Sequence, residues 1–335
     1  MRGVVLLGNR EVEIRDFPDP EPGPDEVIVR VEAAGICGSD LHVYRSAKGH
    51  PDVIAGHETS GVVDRVGHHV ENVKEGDRVI VYHAMGCGRC YQCLSGFHVY
   101  CVKGPWLLGS NVNGGDADLI LARSIGCLKL PDKLSFVDGA IMSCAGGTAY
   151  QILKNLQVSG RDALAVFGLG PLGLSAVMIA KALGSMVIGC DPVRERREIA
   201  RMLGCDHLVD PVQENAVETV RMLTGGRGAD ASVDFSGSSA GRKAAIDCVR
   251  PRGRIGWIGN GDPETSVPQY IIGRGLTLTG CWIFSIDTYD ELARFLVDHR
   301  LSLEKMVTHR FPLESAPEAF RLFDTSKTGK IVFLR

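Results

Sequence analysis

Ala163-Leu-Ala-Val-Phe-Gly168-Leu-Gly170-Pro-Leu-Gly173 is the stretch that decides the fold of this chain. Its first five residues form a continuous apolar run, which is typical of a strand buried in a parallel sheet. The residues that follow, 174–183, are apolar at helical spacing and end before Gly184, a residue type common after helices. Three glycines at GxGxxG spacing between a buried strand and a helix predict a turn that binds the pyrophosphate of a dinucleotide. The residues of this loop predicted to bind the cofactor are Gly168, Gly170, Pro171, Leu172 and Gly173.

Asp191 supplies the acidic residue that a dinucleotide-binding loop requires. It follows the next apolar run, Met186–Cys190, and comes eighteen residues after Gly173. A carboxylate there accepts hydrogen bonds from both ribose hydroxyls of NAD and repels the 2′-phosphate of NADP, so we expect NAD as the cofactor. The alternative role for Asp191 is that of a helix cap. Arg196 is a further candidate for cofactor binding, and with the arginines on either side of it some use of NADP stays open.

Apolar runs of strand length alternate with helical patterns on both sides of this loop. Such alternation predicts an α/β fold with a doubly wound parallel sheet. The expected strands are Ala163–Phe167, Met186–Cys190, 208–209, 231–235, 254–258 and 276–279. The expected helices are 174–183, 194–203 and 240–249.

The N-terminal part of the chain is predicted to be rich in β-structure. Residues 26–34 alternate apolar side chains with Arg30 and Glu32, which is the period of a half-buried strand. Four prolines between residues 18 and 24 favour an extended loop before it. Outside the parallel sheet, the sequence patterns further predict strands at 61–66, 77–82 and Lys330–Leu334, and helices at 289–297 and 315–323.

The bulk properties limit the classes of function. A length of 335 residues is that of two domains rather than one. The formal net charge of −3 and the isoelectric point near 6.4 do not favour a nucleic-acid or membrane-surface partner. No stretch has the pattern of a signal peptide or a membrane span. We therefore expect a cytoplasmic protein whose eleven cysteines are thiols or metal ligands.

Four of these cysteines form the most specific local motif: Cys87, Cys90, Cys93 and Cys101. Their spacing, C-x2-C-x2-C-x7-C, suits a tetrahedral all-thiolate site, which has no open position and is therefore structural. Four unrelated buried thiols would not show such regular spacing. A redox-active C-x-x-C pair is a weaker interpretation, because that motif requires a thioredoxin-like context. We expect one structural zinc ion at this motif.

A second group of metal-binding side chains lies in Cys37-Gly-Ser-Asp40-Leu-His42 and Gly56-His57-Glu58. Cysteine and neutral histidine suit zinc, and a catalytic zinc site has three protein ligands and one open position. Cys37 and His57 supply two ligands, so the two motifs leave the third ligand open. Glu58 and Asp40 are candidates for orienting the ligand imidazole or balancing the metal charge, although Asp40 could equally be a turn residue.

These motifs, in this order, resemble those of the zinc-dependent medium-chain dehydrogenases, the superfamily of alcohol and polyol dehydrogenases. The resemblance extends over essentially the whole chain and includes the C-terminal segment His309-Arg-Phe-Pro-Leu313. It implies a GroES-like, β-rich catalytic domain at residues 1–146 and 286–335, and a Rossmann dinucleotide-binding domain at residues 147–285. It also implies NAD and two zinc ions as cofactors, and a homodimer or homotetramer paired through the edge of the Rossmann sheet near residues 276–283.

The resemblance also supplies the third ligand of the catalytic zinc. Cys144 falls where alcohol dehydrogenases have their second cysteine ligand. Polyol dehydrogenases use a nearby glutamate, and this chain has no acidic residue between Asp138 and Asp162. The implied ligands are therefore Cys37, His57 and Cys144, with Glu58 close to the metal. The alternative for Cys144 is a packed core thiol.

Other roles follow from the same resemblance. Ser39, a ribose hydroxyl of the cofactor and then His42 would carry the proton of the alcohol to the surface, because an imidazole exchanges protons near neutral pH. Arg310 would lie near the cofactor pyrophosphate, with a surface salt bridge as the alternative. His83 and Trp106 either line the substrate pocket or pack within the fold.

The expected activity is reversible hydride transfer between a primary or secondary alcohol, bound to zinc as its alkoxide, and NAD. A polyol, sugar-alcohol or L-threonine-type dehydrogenase of the same superfamily is the alternative. A non-catalytic structural protein that keeps the fold and the cofactor is a more distant alternative, which the intact ligand and relay residues disfavour.

Overall fold

The described part of the chain, residues 1–263 and 265–335 of a computed structural model, forms seventeen strands and eleven α-helices. The strands, in chain order, are β1 (Arg2–Gly8), β2 (Glu11–Asp16), β3 (Glu26–Gly35), β4 (Glu58–Val66), β5 (Arg78–Val81), β6 (Ala84–Met85), β7 (Trp106–Leu107), β8 (Leu119–Arg123), β9 (Cys127–Lys129), β10 (Ala163–Phe167), β11 (Met186–Cys190), β12 (His207–Val209), β13 (Ala229–Asp234), β14 (Val249–Trp257), β15 (Thr277–Gly280), β16 (Val307–Phe311) and β17 (Lys330–Leu334).

Besides a π-helical turn at Met142–Gly146 and several short 3₁₀ turns, the remaining regular structure consists of the α-helices. They are α1 (Asp40–Arg45), α2 (Tyr91–Leu94), α3 (Phe136–Ile141), α4 (Gly147–Asn155), α5 (Pro171–Ala182), α6 (Arg194–Met202), α7 (Ala216–Leu223), α8 (Ser239–Asp247), α9 (Tyr270–Arg274), α10 (Thr288–Asp298) and α11 (Ala316–Asp324).

The chain divides into two units, residues 1–147 with 283–335, and residues 148–282. These boundaries lie one and three residues from the expected ones at 146/147 and 285/286. The unit of residues 1–147 and 283–335 is discontinuous in sequence, because it takes its last strands and helices from the C-terminal segment.

The unit of residues 148–282 is built on a six-stranded parallel sheet with the order β12-β11-β10-β13-β14-β15. This is the strand order of a doubly wound dinucleotide-binding fold, in which the ligand binds at the carboxyl ends of the central strands. All five residues of β10 are buried, as the apolar run predicts, and β10 pairs with β11 on one side and β13 on the other. The predicted α/β fold with a parallel sheet is confirmed.

The unit of residues 1–147 and 283–335 is built on a seven-stranded sheet with the order β16-β17-β3-β4-β5-β9, and β8 also pairs with β3. All of these pairs are antiparallel except β16 with β17. Apolar side chains of these strands pack with α11 into one core, which includes Val29, Val79, Ile331 and Phe320. The β-rich, GroES-like character expected for this part is confirmed.

The register of this sheet brings three distant segments together at Gly35, the last residue of β3. Gly35 pairs with Glu58 at the start of β4 and with Val332 of β17 on its other side. Cys37 follows two residues after β3 ends, and His57 directly precedes β4. The sheet therefore fixes the positions of the two metal-binding motifs relative to each other.

Several elements of the fold were absent from the sequence prediction, among them β8, β9, β16, α3 and α4. The hairpin of β1 and β2 turns through Asn9 and Arg10, both at positive φ (51° and 65°), which is the geometry of a type I′ turn. A glycine usually marks such a turn, and none stands at its centre. Helix α7 is short and was also missed.

Among the described residues, no helix combines the length and the apolarity needed to cross a membrane.

Candidate functional site

Cys37, His57, Glu58 and Cys144 form one buried cluster in the unit of residues 1–147 and 283–335. One ligand atom from each side chain lies within 4.8 Å of the others. Two thiols and an imidazole are the donor set that zinc prefers, and a carboxylate beside them completes the chemistry of a catalytic site. The structure thus brings together the residues that the sequence motifs and the family resemblance predicted at the catalytic zinc.

Cys144 is presented by the π-helical turn Met142–Gly146, which lies between α3 and α4. Such turns widen a helix locally and occur frequently at functional sites. The hydroxyl of Ser143 donates to the carbonyl of Ala140 at 2.7 Å and accepts from the N–H of Thr59 at 3.1 Å. These two bonds fix the turn against the start of β4, next to Glu58.

The imidazole of His57 is oriented by Asp40. Nδ1 of His57 lies 3.1 Å from Oδ1 of Asp40, and Oδ2 of Asp40 accepts a hydrogen bond of 2.8 Å from the N–H of Cys37. Because Nδ1 is engaged, Nε2 is the nitrogen left for a metal, and a carboxylate behind a ligand imidazole is common at zinc sites. Burial lowers the pKa of His57, but the charges of Asp40 and Cys37 outweigh burial and hold it well above its usual value.

The pKa values of the two thiols are shifted in opposite directions. The hydrogen bond with Cys144 lowers the pKa of Cys37 well below its usual value, while the same bond and burial raise the pKa of Cys144 well above it. A bound metal cation would deprotonate both thiols, since zinc binds the thiolate. The donor set therefore fits zinc.

Lys330 is a member of this site that the sequence did not reveal. Its ammonium lies 2.5 Å from Oε2 of Glu58 and donates to the carbonyl of Ile36 at 2.8 Å, and neither Lys330 nor Glu58 is exposed. Burial raises the pKa of Glu58, and the charge of Lys330 acts in the opposite direction. A Cβ on Gly35 would lie 2.7 Å from Cε of Lys330 and 2.8 Å from Oε2 of Glu58, so a larger residue there would displace this pair.

Asp116 is a second buried group that sequence reasoning missed. Neither oxygen of its carboxyl group has a hydrogen-bond partner among the described residues. Burial, and then the charge of Asp40, raise the pKa of Asp116 well above its usual range. Gly56, at φ +86°, packs against this carboxyl group, where any Cβ would collide with it.

His83 lies beside the cluster, and Trp106 lies on β7, opposite Met85. The rings of His83 and His57 are 5.2 Å apart between centroids, and Nδ1 of His83 lies 2.7 Å from the carbonyl oxygen of Ser143. Burial lowers the pKa of His83 to about 3, so its imidazole is neutral. The ring of Trp106 instead stacks under the guanidinium of Arg123, at 4.3 Å.

The two predicted relay residues lie at the surface. Ser39 and His42 are both exposed, at and just after the start of α1. Oγ of Ser39 lies 3.4 Å from Nε2 of His57. A hydroxyl at that distance from a ligand nitrogen is close enough to meet a molecule bound at the open position.

The four-cysteine motif also closes into a cluster, with the ligand sulfurs of Cys87, Cys90, Cys93 and Cys101 all within 4.8 Å of one another. The N–H of Cys93 donates to Cys90 and lowers the pKa of its thiol to about 6, whereas burial raises the pKa of Cys93 to about 12. Sγ of Cys90 lies 3.4 Å from Sγ of Cys93. Four sulfurs in this arrangement fit a structural zinc ion.

The glycine loop of the unit of residues 148–282 leaves room for a ligand at its second glycine. Gly168 has φ +91°, and a Cβ there would lie 2.7 Å from the backbone nitrogen of Ser236. A Cβ on Gly173 would collide with the carbonyl of Gly168, so this glycine lets helix and strand approach. At Gly170 the nearest group is the guanidinium of Arg196, 3.9 Å away. Pro171 and Leu172 open α5, whose N-terminus stabilises phosphate.

Asp191 is held in place by backbone N–H groups. Its Oδ2 accepts from Leu169 at 2.7 Å and its Oδ1 from Val193 at 2.8 Å. Nη1 of Arg196 lies 3.9 Å from Oδ2 of Asp191. The glycine loop, the carboxylate of Asp191 and the guanidinium of Arg196 therefore lie close together, and this arrangement fits a bound dinucleotide.

Arg310 lies on β16 and pairs with Oε1 of Glu304 at 2.8 Å. This is the salt bridge considered as its alternative role, and proximity to the cofactor stays a prediction.

Known proteins match the chain over nearly its full length. Residues 23–132 match the family model of the alcohol dehydrogenase GroES-like domain, and residues 171–298 match that of the zinc-binding dehydrogenase. A zinc-type alcohol dehydrogenase-like protein of Escherichia coli K12, YphC, is 38% identical, covering 99% of this chain and 98% of that protein. The L-threonine 3-dehydrogenase of Pyrococcus abyssi is 32% identical, covering 96% and 94%. The structure of an alcohol dehydrogenase from Thermus sp. ATN1 is 31% identical, with a TM-score of 0.93, covering 100% and 99%.

Proposed function

This chain belongs to the zinc-dependent medium-chain dehydrogenase superfamily, and we propose that it transfers hydride reversibly between an alcohol and NAD. It is an oxidoreductase of the zinc-type alcohol dehydrogenase kind. The observation that carries the proposal is the buried cluster in which the donor atoms of Cys37, His57, Glu58 and Cys144 lie within 4.8 Å of one another.

In this proposal Cys37, His57 and Cys144 hold the catalytic zinc. Zinc supplies Lewis acidity, which polarises the alcohol oxygen and favours loss of its proton near neutral pH. Asp40 keeps the His57 imidazole in the tautomer that leaves Nε2 for the metal, and Lys330 balances part of the charge of Glu58 and the thiolates. Asp40 and Lys330 do not form or break bonds in the reaction, but their charges act on the reacting oxygen.

The proton of the alcohol leaves through Ser39 and His42. The position of the Ser39 hydroxyl, 3.4 Å from Nε2 of His57, supports its role as the first acceptor, with a ribose hydroxyl of the cofactor as the next group. His42 is exposed and can pass the proton to water. The variant His42→Gln distinguishes a relay from a purely structural role of His42 in α1. If His42 relays protons, the activity of the variant should fall most at low pH. If its role is structural, the pH dependence of activity should not change.

We propose NAD as the cofactor and two zinc ions per chain, one at the catalytic cluster and one at the four cysteines. The buried carboxylate of Asp191 supports NAD over NADP, because a 2′-phosphate beside it would be repelled. NAD, held by the glycine loop and Asp191, would supply the nicotinamide as hydride acceptor.

A polyol or L-threonine-type dehydrogenase is the second candidate. It is favoured by the 32% identity with an L-threonine 3-dehydrogenase over 96% of the chain. Cys144 in place of a glutamate argues against a polyol-type metal site.

Two further properties belong to this proposal. We propose a homodimer or homotetramer paired through β15, because β15 is an edge strand of the parallel sheet and edge strands present unpaired backbone groups. We propose the cytoplasm as the compartment, because a reducing environment keeps the eleven cysteines available as thiols and metal ligands.

The test is turnover by the purified, zinc-loaded protein. The panel contains primary and secondary alcohols, polyols and amino alcohols, each with NAD and with NADP, and formation of the reduced cofactor is followed by absorbance. We expect reduction of NAD by at least one class of alcohol and its loss when a chelator removes zinc. Zinc-loaded protein that binds NAD but turns over no alcohol would instead support the non-catalytic alternative.

A further inference from the structure

The π-helical turn Met142–Gly146 has a hydrogen-bond pattern that passes over Ser143. The N–H of Gly147 donates to the carbonyls of Met142 and Cys144. In an α-helix the same N–H would donate to Ser143, four residues earlier, whereas a bond that reaches five residues back is the π-helical pattern. Ser143 is fully buried, so its carbonyl needs a donor from another part of the chain.

His83 supplies this donor. Its Nδ1 lies 2.7 Å from the carbonyl oxygen of Ser143, and a carbonyl only accepts, so Nδ1 carries the proton in this contact. His83 lies between β5 and β6 and is 7% exposed. Its own carbonyl accepts from the N–H of Leu108 at 3.1 Å. The imidazole therefore reaches the turn from a backbone that is itself held in place.

We propose that His83 is a positioning residue for Cys144. The bond from its Nδ1 to the Ser143 carbonyl keeps the turn π-helical, and the π-helical turn directs the thiol of Cys144 into the cluster with Cys37 and His57. His83 acts through the backbone of Ser143 and not as a ligand. This inference rests on the proposed function, since it concerns the ligand set of the same metal site, but it does not depend on which alcohol is the substrate.

The physical reason is the choice of donors that the Ser143 carbonyl has without His83. A buried carbonyl that loses its partner is costly, and the N–H of Gly147 is the donor that an α-helical turn would offer it. That exchange removes the extra residue of the π-helical turn. Successive residues of an α-helix are about 100° apart around its axis, so the thiol of Cys144 would rotate out of the cluster by roughly that angle.

The segments on both sides of the turn are fixed, so the turn itself must absorb such a change. Helix α3 begins with a capping box formed by Ser135 and Asp138. Gly147, the first residue of α4, packs so closely on Phe284 that a Cβ would lie 2.3 Å from the aromatic ring. Rotation within the turn is therefore the change that remains when the donor is lost.

Cobalt alone is the probe that tests the proposal. Thiolate ligands give Co²⁺ a charge-transfer absorbance in the near ultraviolet, which grows with the number of bound thiolates. Zinc is exchanged for Co²⁺ by dialysis, and the contribution of the four-cysteine motif is measured in Cys37→Ser combined with Cys144→Ser and subtracted. We expect the wild-type cluster to show the absorbance of two thiolates, those of Cys37 and Cys144.

Variants then assign the position of Cys144 to His83. His83→Phe keeps an aromatic ring but removes the donor, so the absorbance of the cluster should fall to about half and its affinity for Co²⁺ by about 10- to 100-fold. His83→Asn places an amide N–H near the position of Nδ1 and should retain most of both. Tyr289→Phe is the matched control, because it also removes a buried donor from a backbone carbonyl, that of Lys129, and should change neither.

The outcomes separate this inference from the proposed function. Wild-type absorbance and affinity in His83→Phe, or an equal loss in His83→Asn or Tyr289→Phe, would overturn the inference and leave the zinc site in place. If His83→Phe does not fold, His83→Gln replaces it with the same expected loss, since its amide lies near the position of Nε2 rather than Nδ1. A wild-type protein that binds Co²⁺ only at the four cysteines would overturn the proposed catalytic zinc as well.

Discussion

The ammonium nitrogen of Lys330 lies 2.5 Å from Oε2 of Glu58, and neither side chain is exposed to solvent. Glu58 begins β4 directly after His57, whereas Lys330 begins β17. A buried carboxylate needs a counter-charge, and this pair supplies it from a distant part of the sequence.

Removing one partner of the Glu58–Lys330 pair should destabilise the folded protein. Lys330→Met leaves Glu58 as an uncompensated buried acid, and we expect the free energy of unfolding to fall by about 3–5 kcal/mol, measured by denaturant unfolding of the zinc-loaded protein. Lys330→Met combined with Glu58→Gln should cost less than the sum of the single variants. Additive costs would mean that the two groups are not coupled.

Cys144→Ser should remove the catalytic zinc with little change in side-chain volume. We expect zinc, measured by elemental analysis, to fall from about two to about one per chain, and turnover to fall by at least about 100-fold. Cys127→Ser is the matched control, since Cys127 is also a buried thiol but lies outside both clusters. Unchanged zinc content in Cys144→Ser would remove Cys144 from the ligand set.

Cys93→Ala should remove the other zinc ion. The binding energy of a structural zinc is folding energy, so we expect the melting temperature to fall by about 5 °C or more, with the catalytic zinc retained. Cys205→Ala provides a comparison, because it deletes a buried thiol in the other unit. A variant that keeps both ions and its melting temperature would contradict a metal site at the four cysteines.

Asp191→Asn tests the choice of cofactor. The amide keeps an oxygen acceptor for the N–H of Leu169 or Val193 but removes the negative charge. We expect the ratio of kcat/KM for NADP to that for NAD to rise by about 10-fold, from steady-state kinetics with both cofactors. Arg194→Gln is the control for a general change in charge near the loop. A wild-type preference for NADP would refute the role of Asp191.

Asp324 links stability to pH. It accepts from Nε of Arg10 at 2.9 Å and from Nε of Arg45 at 2.5 Å. Burial raises the pKa of Asp324, but the two arginines outweigh burial and hold it below its usual value. A lowered pKa in the folded state means that the stabilisation is present above the unfolded value, near 4, and is lost as the pH falls through the folded value.

Asp324→Asn should therefore reduce the free energy of unfolding at pH 7 by about 1–3 kcal/mol. The difference from the wild-type protein should narrow as the pH is lowered below about 4, measured by urea unfolding across that range. A difference that stays constant with pH would show that the carboxylate charge contributes nothing.

The fold was largely predictable because its strands are bounded by sharp changes in sequence. The strand β10 is an apolar run between Asp162 and Gly168, and it was predicted to the residue. The strand β14 was predicted too short, because Val249 is followed by Arg250, Pro251 and Arg252 rather than by apolar residues, and this end pairs through an irregularity opposite Ala229 and Ala231. The local sequence pattern therefore predicts the interior of a strand well and an irregular strand end poorly.

The site was predictable where its residues are close in sequence. Cys37 and His57 were found from zinc chemistry, and Cys144 only through the resemblance to a family. Lys330 could not be found, because a lysine at the start of a strand usually reaches solvent and only the pairing of β17 with β3 buries it. Asp116 was missed for the same reason, since burial is a property of the folded chain.

The discontinuity of the unit that holds the catalytic cluster has a consequence during synthesis. Its first part, residues 1–147, is synthesised well before residues 283–335, and the pairing of β17 with β3 joins the two parts. Until β17 adds to β3, Glu58 lacks the ammonium of Lys330 and the sheet beside Cys37 has an open edge. The sheet beside Cys37 is therefore completed only after residues 283–335 have been synthesised, although all four residues of the cluster lie in the first part.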